Sequence, residues 1–149
     1  MKVKKGTQVY TGITQTDAAN LAKELYSKNL NFQSDLINSY TWDTAIVFIQ
    51  TFSEDSDYSK ESGVNTEVGK LLTGESILKS DNNTDKRCNI YDMAGNVLEW
   101  STETCTDRDN PCVDRGGHYD NGSLYTARRY NIYTSYSDDY ISFRTILYL

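Results

Sequence analysis

The side chains with the greatest chemical reach in this 149-residue chain are few and scattered. Cys88, Cys105 and Cys112 form an odd set without a CxxC pair, and His118 is the single histidine. A usual zinc site needs four closely spaced cysteines and histidines, so metal chemistry through soft ligands is not expected. One histidine and three dispersed thiols also make no Ser-His-Asp or Cys-His set for acyl transfer. Asp138 and Asp139 could be cast as acid and base, but adjacent carboxylates on a tyrosine-rich loop read as solvated charge. Cys105 and Cys112 flank a polar Thr-Asp-Arg-Asp-Asn-Pro turn and either close a short disulfide loop or remain free thiols.

The elements that must position these groups change in texture along the chain. Residues 3–10 alternate loosely and predict a first strand, which Gly12 ends. Thr14-x-x-Asp17 has the form of a capping box, and Ala18, Leu21, Ala22 and Leu25 follow at helical spacing, with Lys23, Glu24 and Lys28 on the other side. A second helix is expected after Ser39 or Thr41, through Trp42, Ala45, Ile46, Ile49 and on to Phe52, with a wider apolar face suited to deeper burial. From 53 to 86 the chain turns polar, with glycines at 63, 69 and 74; it reads as long loops interrupted by 68–72 and Ile77-Leu78. Beyond Asn89, short apolar runs, glycines and tyrosines predict short strands and loops.

Length and composition fit one domain over 1–149: a helical half at about 13–53, a loop region at 54–87, and a motif-bearing β/loop half at 88–149. Aromatic residues make up 12% of the chain, too many for a disordered polypeptide. A net charge of −6 disfavours nucleic acid and anionic membrane surfaces as partners. No window approaches the ~18 consecutive apolar residues of a spanning helix, so membrane insertion is not expected.

Asn89-Ile90-Tyr91-Asp92-Met93-Ala94-Gly95-Asn96-Val97-Leu98-Glu99-Trp100 is followed by Val113-Asp114-Arg115-Gly116-Gly117, and near the end by Ser142-Phe143-Arg144. These three segments, in this order, resemble the "DMAGNVWEW", "RGG" and "GFR" motifs of the formylglycine-generating-enzyme (sulfatase-modifying-factor) family. The resemblance covers about 13–149 and is strongest over the last 60 or so residues. It implies an α+β, C-type-lectin-like fold: two helices on a small twisted antiparallel sheet, with long ordered loops. It also implies that Trp100 anchors the core, that Gly95, Gly116 and Gly117 serve close approaches or positive φ, and that Arg115 and Arg144 satisfy buried carbonyls or carboxylates.

In calcium-binding relatives this segment holds a cation, and the corresponding donors here are Asp92, Gly95, Val97 and Glu99. Hard oxygen donors suit Ca²⁺, so the resemblance implies a structural calcium as the one cofactor to look for, with none required. The alternative is that Asp92 and Glu99 only brace the loop. The family's copper-thiolate oxidase needs two cysteines soon after the RGG turn, where Asn121 and Thr126 stand. The related sulfoxide synthases need three histidines. A binder without catalysis is therefore expected.

Six of the twelve tyrosines lie within 118–140, among Ser, Asn, Asp and Gly. Antibody paratopes favour this mixture, because tyrosine offers large amphipathic area at low rotamer entropy while small polar groups adapt their hydrogen bonds. The layout resembles the variable proteins of diversity-generating retroelements, where adenine mutagenesis turns AAC codons into Tyr, Ser, Asp, His, Thr or Ile. The side chains expected to face a ligand are His118, Tyr119, Asp120, Ser123, Tyr125, Tyr130, Asn131, Tyr133, Ser135, Tyr136, Asp138 and Tyr140. The competing reading packs the tyrosines into an aromatic-rich β core. The expected partner is a protein or cell-surface ligand met at a phage virion or bacterial surface, localisation itself staying open. A calcium-dependent carbohydrate lectin and a divergent enzyme of the superfamily are the alternatives.

Overall fold

A computed structural model of the chain describes residues 4–64 and 72–149. Val3 of the expected first strand and residues 68–71 of the expected apolar piece lie outside them. The elements, in order, are α1 (Gln15–Glu24), β1 (Gln33–Leu36), α2 (Ser39–Phe52), a 3-10 turn (Tyr58–Lys60), β2 (Gly63–Val64), β3 (Ile77–Leu78), β4 (Lys86–Arg87), β5 (Ile90–Tyr91), β6 (Leu98–Thr104), β7 (Cys112–Arg115), β8 (Arg129–Ile132), β9 (Ile141–Phe143) and β10 (Thr145–Tyr148). The architecture is α+β.

The first helix starts where the capping box put it: Thr14 accepts a hydrogen bond from the Asp17 amide, and Ala18 and Ala22 bury one turn apart. The second is capped by Asn38 rather than Ser39 or Thr41; its side chain accepts from the Thr41 amide. Trp42, Ile46 and Ile49 form its covered stripe, whereas Val47 and Phe48 stay exposed and Phe52 is 70% exposed, so the expected deep burial of this helix reaches one face only.

One other expectation is corrected. Residues 4–10 form no strand; Gln8 makes a single bridge to Leu72. The helical half instead contains β1, which pairs antiparallel with β10 and ties the two halves of the chain together. The largest sheet, in the order β8-β7-β6-β9, is mostly antiparallel, in keeping with the expected sheet, and β9 returns beside β6 in the same direction. A parallel neighbour requires a long connection, and the chain supplies it through β7, β8 and the loops around them.

The sheet and the helices enclose two apolar clusters. Trp100 centres one with Ala18, Ala22, Leu36 and Ile141, and its indole N–H donates to the Ile13 carbonyl at 2.8 Å. Trp42 centres the other with Ile46, Ile49 and Met93, and its N–H donates to the Thr126 carbonyl at 3.1 Å. Both tryptophans are fully buried with their polar atom satisfied, so neither leaves an unmade hydrogen bond in the core. Residues 92–100 are buried without interruption, and their polar members must find partners inside the protein.

Candidate functional site

The 118–140 segment is held from beneath by its backbone. The Tyr119 amide donates to the Asn96 carbonyl (2.8 Å), Thr126 to Glu61 (2.9 Å) and Ala127 to Ser59 (3.0 Å), while Gly12 donates to Asp138 (2.9 Å). These partners come from remote parts of the sequence, so the loop path is set by tertiary contacts. Of the twelve side chains expected to face a ligand, Asp120, Ser123, Tyr125, Tyr130, Tyr133 and Ser135 are exposed, and His118, Tyr119, Asn131, Tyr136, Asp138 and Tyr140 are half-buried. None is buried.

The structure brings some of these residues together and separates others. His118 stacks on Tyr140 with ring centres 4.9 Å apart, and the Tyr136 hydroxyl donates to that of Tyr140 at 3.0 Å. Tyr133 meets Tyr136 edge-on at 5.5 Å, and Tyr136 meets the buried Trp100 at 6.3 Å. A continuous aromatic path therefore runs from the surface to the core. Tyr136 and Tyr140 also pack against the Trp100 cluster, so these two serve the core as well as the surface. Burial, with the Tyr140 hydrogen bond added, raises the pKa of the Tyr136 phenol. Residues 121–127 lie against other neighbours: Lys79 Nζ donates to the Gly122 carbonyl at 3.1 Å.

The edge strand β8 presents Tyr130 opposite Asp114 of β7. The Arg128 guanidinium lies over the Tyr130 ring at 4.7 Å and donates to Asp114 Oδ1. Asp114 is 1% exposed, and its Oδ2 has no partner. Burial pushes its pKa up to about 6 against the pull of Arg128. His118 moves the other way, its pKa lowered by burial, and its Nδ1 faces the Asp120 amide at 3.4 Å. Burial thus favours the uncharged imidazole on this surface, with Asp120, Asp138 and Arg128 as its charged neighbours.

Sequence reasoning missed Arg128 and Asp114, because an Asp beside Arg-Gly-Gly reads as part of a turn. It also missed Asp85, which sits just after a polar Asn-rich loop and yet is fully buried. Asp85 accepts from the Tyr58 hydroxyl (2.7 Å) and the Ala94 amide (2.8 Å), bracing the 92–100 segment.

The residues implied for calcium do not fit that ion as arranged. Both oxygens of Glu99 are taken by Arg144, at 2.9 Å and 2.8 Å. The Gly95 carbonyl accepts from the Val97 amide at 3.0 Å, and Asp92 Oδ2 accepts from the Gly74 amide. Among the described residues no group of three or more His, Cys, Asp or Glu is placed to hold a metal ion. Glu99 and Asp92 thus brace the loop, Glu99 through a guanidinium fork and Asp92 through a backbone amide. Arg115 is used similarly: Nε donates to the Arg128 carbonyl at 3.0 Å and Nη2 to Asp43. Cys88, Cys105 and Cys112 are free thiols, with Cys105 Sγ donating to the Asn110 carbonyl. No helix among the described residues is long and apolar enough to cross a membrane.

No protein-family profile matches the chain, and no curated protein matches it. Among solved structures it is similar to one described as "Crystal Structure of CarF", at 16% identity and a TM-score of 0.59, over 92% of this chain and 66% of that one. The chain spans just under two thirds of that protein, and at such identity the likeness concerns the fold alone.

Proposed function

We propose that this chain is a non-catalytic ligand-binding or display domain of C-type-lectin-like fold, of the kind diversified by retroelements, and that the 118–140 face meets a protein or cell-surface ligand. The observation that carries the reading is the division of labour in that segment. Its main chain is bonded to Ser59, Glu61, Asn96 and Gly12, while none of its twelve candidate side chains is buried. Side chains can then change without moving the backbone that displays them, as a diversified surface requires. Asn121 and Thr126 stand where the resembling oxidases need thiolates, and the Thr126 hydroxyl donates to the Glu61 carbonyl, which supports binding over catalysis.

The test is to vary Tyr125, Tyr130 and Tyr133 together with Asp120, Ser123 and Ser135 and to select the variants for new protein ligands. Folded variants should keep the parental unfolding temperature within about 4 °C, as exposed substitutions do, while acquiring different partners. Broad loss of folding across the library would sink the proposal. A template repeat and a reverse-transcriptase gene beside the coding sequence would support the retroelement part; their absence there would remove it and leave the binding part standing.

A further inference from the structure

A concave surface lies outside the tyrosine face, and no residue of 118–140 lines it. It is a groove of about 910 Å³, within the size range of small-molecule sites. Its walls come from 4–10, α2, the 89–97 segment and β9–β10. They are largely apolar, with Ile37, Ala45, Ile90, Met93, Phe143 and Ile146 among them. The groove's charged groups are unequal. Glu99 and Arg144 satisfy one another through their paired hydrogen bonds. Asp92, which is 5% exposed, spends Oδ2 on the Gly74 amide and leaves Oδ1 buried without a hydrogen-bond partner.

A buried carboxylate oxygen without a donor is costly, and a ligand that supplies the donor recovers that cost on binding. Asp85 and Glu99 act on Asp92 as like charges and Arg144 as an opposite one, so the carboxylates around this oxygen outnumber the guanidinium and a positively charged donor is favoured over a neutral one. The exposed Lys4 and Lys5 line the same groove and oppose a divalent ion more strongly than a monovalent one. The apolar walls, in turn, need an apolar body.

We propose that this groove binds a small organic monocation, a primary ammonium head on an apolar body, with the head donating to Asp92 Oδ1. The site is independent of the tyrosine face and of what that face binds.

The proposal is tested by titrating ¹⁵N-labelled protein with 4-phenylbutylammonium chloride, with 4-phenylbutanol and with calcium chloride, following backbone resonances by NMR. The ammonium should shift Ile90, Met93, Phe143 and Ile146 and bind about ten- to hundredfold tighter than the alcohol, the margin expected for a hydrogen bond to a charged group. Asp92→Asn should abolish that margin; Asn tolerates the φ of 59° at this position. Ala45→Phe, which fills the groove and keeps Asp92, should block both organic probes and decides the matter if Asp92→Asn fails to fold. Equal binding of alcohol and ammonium, no shifts at these residues, an undiminished margin in Asp92→Asn, undiminished ammonium binding in Ala45→Phe, or calcium producing the same shifts and displacing the ammonium would each overturn the proposal.

Discussion

Arg144 closes on Glu99 as a two-pronged fork, Nε to Oε2 at 2.9 Å and Nη2 to Oε1 at 2.8 Å, and Nη2 also donates to the Tyr91 carbonyl at 2.7 Å. The pair sits where β6 and β9 run parallel, Glu99 opposite Ser142, so one guanidinium joins the sheet to the β5 segment. Removing one member of such a pair strands the other charge away from water. Arg144→Met should therefore cost about 3–5 kcal/mol, and adding Glu99→Gln should recover much of the loss, because the stranded charge is gone. Urea midpoints of the two single variants and the double variant measure this. Additive losses would show that the two groups are not coupled.

Asp114 makes stability depend on acidity. Its pKa rises from 3.8 in the open chain to about 6 in the fold, because it is buried. Between those values the native state holds a proton that the unfolded chain has released. Stability is therefore highest at the acid side of this window, falls as pH climbs from about 4 to 6, and levels off above, with a span of at most about 3 kcal/mol from this group. Asp114→Asn should flatten that part of the profile. Unfolding curves of both proteins across the window check it, and an unchanged slope in the variant would assign the effect elsewhere.

Gly95 and Gly122 should respond to the same added methyl with very different magnitudes. A Cβ on Gly95 would lie 1.9 Å from the Gly63 carbonyl oxygen, against main chain that is itself bonded through the Gly63 amide to Ala94 at 3.0 Å. Gly95→Ala should cost more than about 3 kcal/mol or prevent folding. A Cβ on Gly122 comes no nearer than 3.3 Å to the Lys79 side chain and to Val64, so Gly122→Ala should stay within about 1 kcal/mol. Thermal unfolding of the two variants distinguishes the cases.

Local signals are reliable where the local chain decides the outcome. Thr14 and Asp17 mark the start of α1 because the cap and the amide it satisfies lie three residues apart. Trp100 is a core anchor, and Arg144 a partner for a buried carboxylate, as the motif resemblance implied. The strand β1 escaped notice because Gln33-Ser34-Asp35-Leu36 carries no strong alternation, and its partner β10 lies more than a hundred residues away. The cap falls on Asn38, one to three residues before Ser39 and Thr41, because all three are good capping residues and only the backbone turn selects among them.

By itself, the sequence determined the tyrosine-rich composition of the 118–140 window, the two tryptophan anchors and the scarcity of cysteine and histidine, because each depends on which residues are present and how they are spaced. Tertiary structure alone decided that Glu99 pairs with Arg144, that Asp92 leaves one buried oxygen without a partner, and that Tyr136 and Tyr140 are shared between surface and core. These outcomes depend on distances between groups far apart in the chain. No local spacing encodes such distances, and in a buried setting they decide which partner each charge or ring obtains.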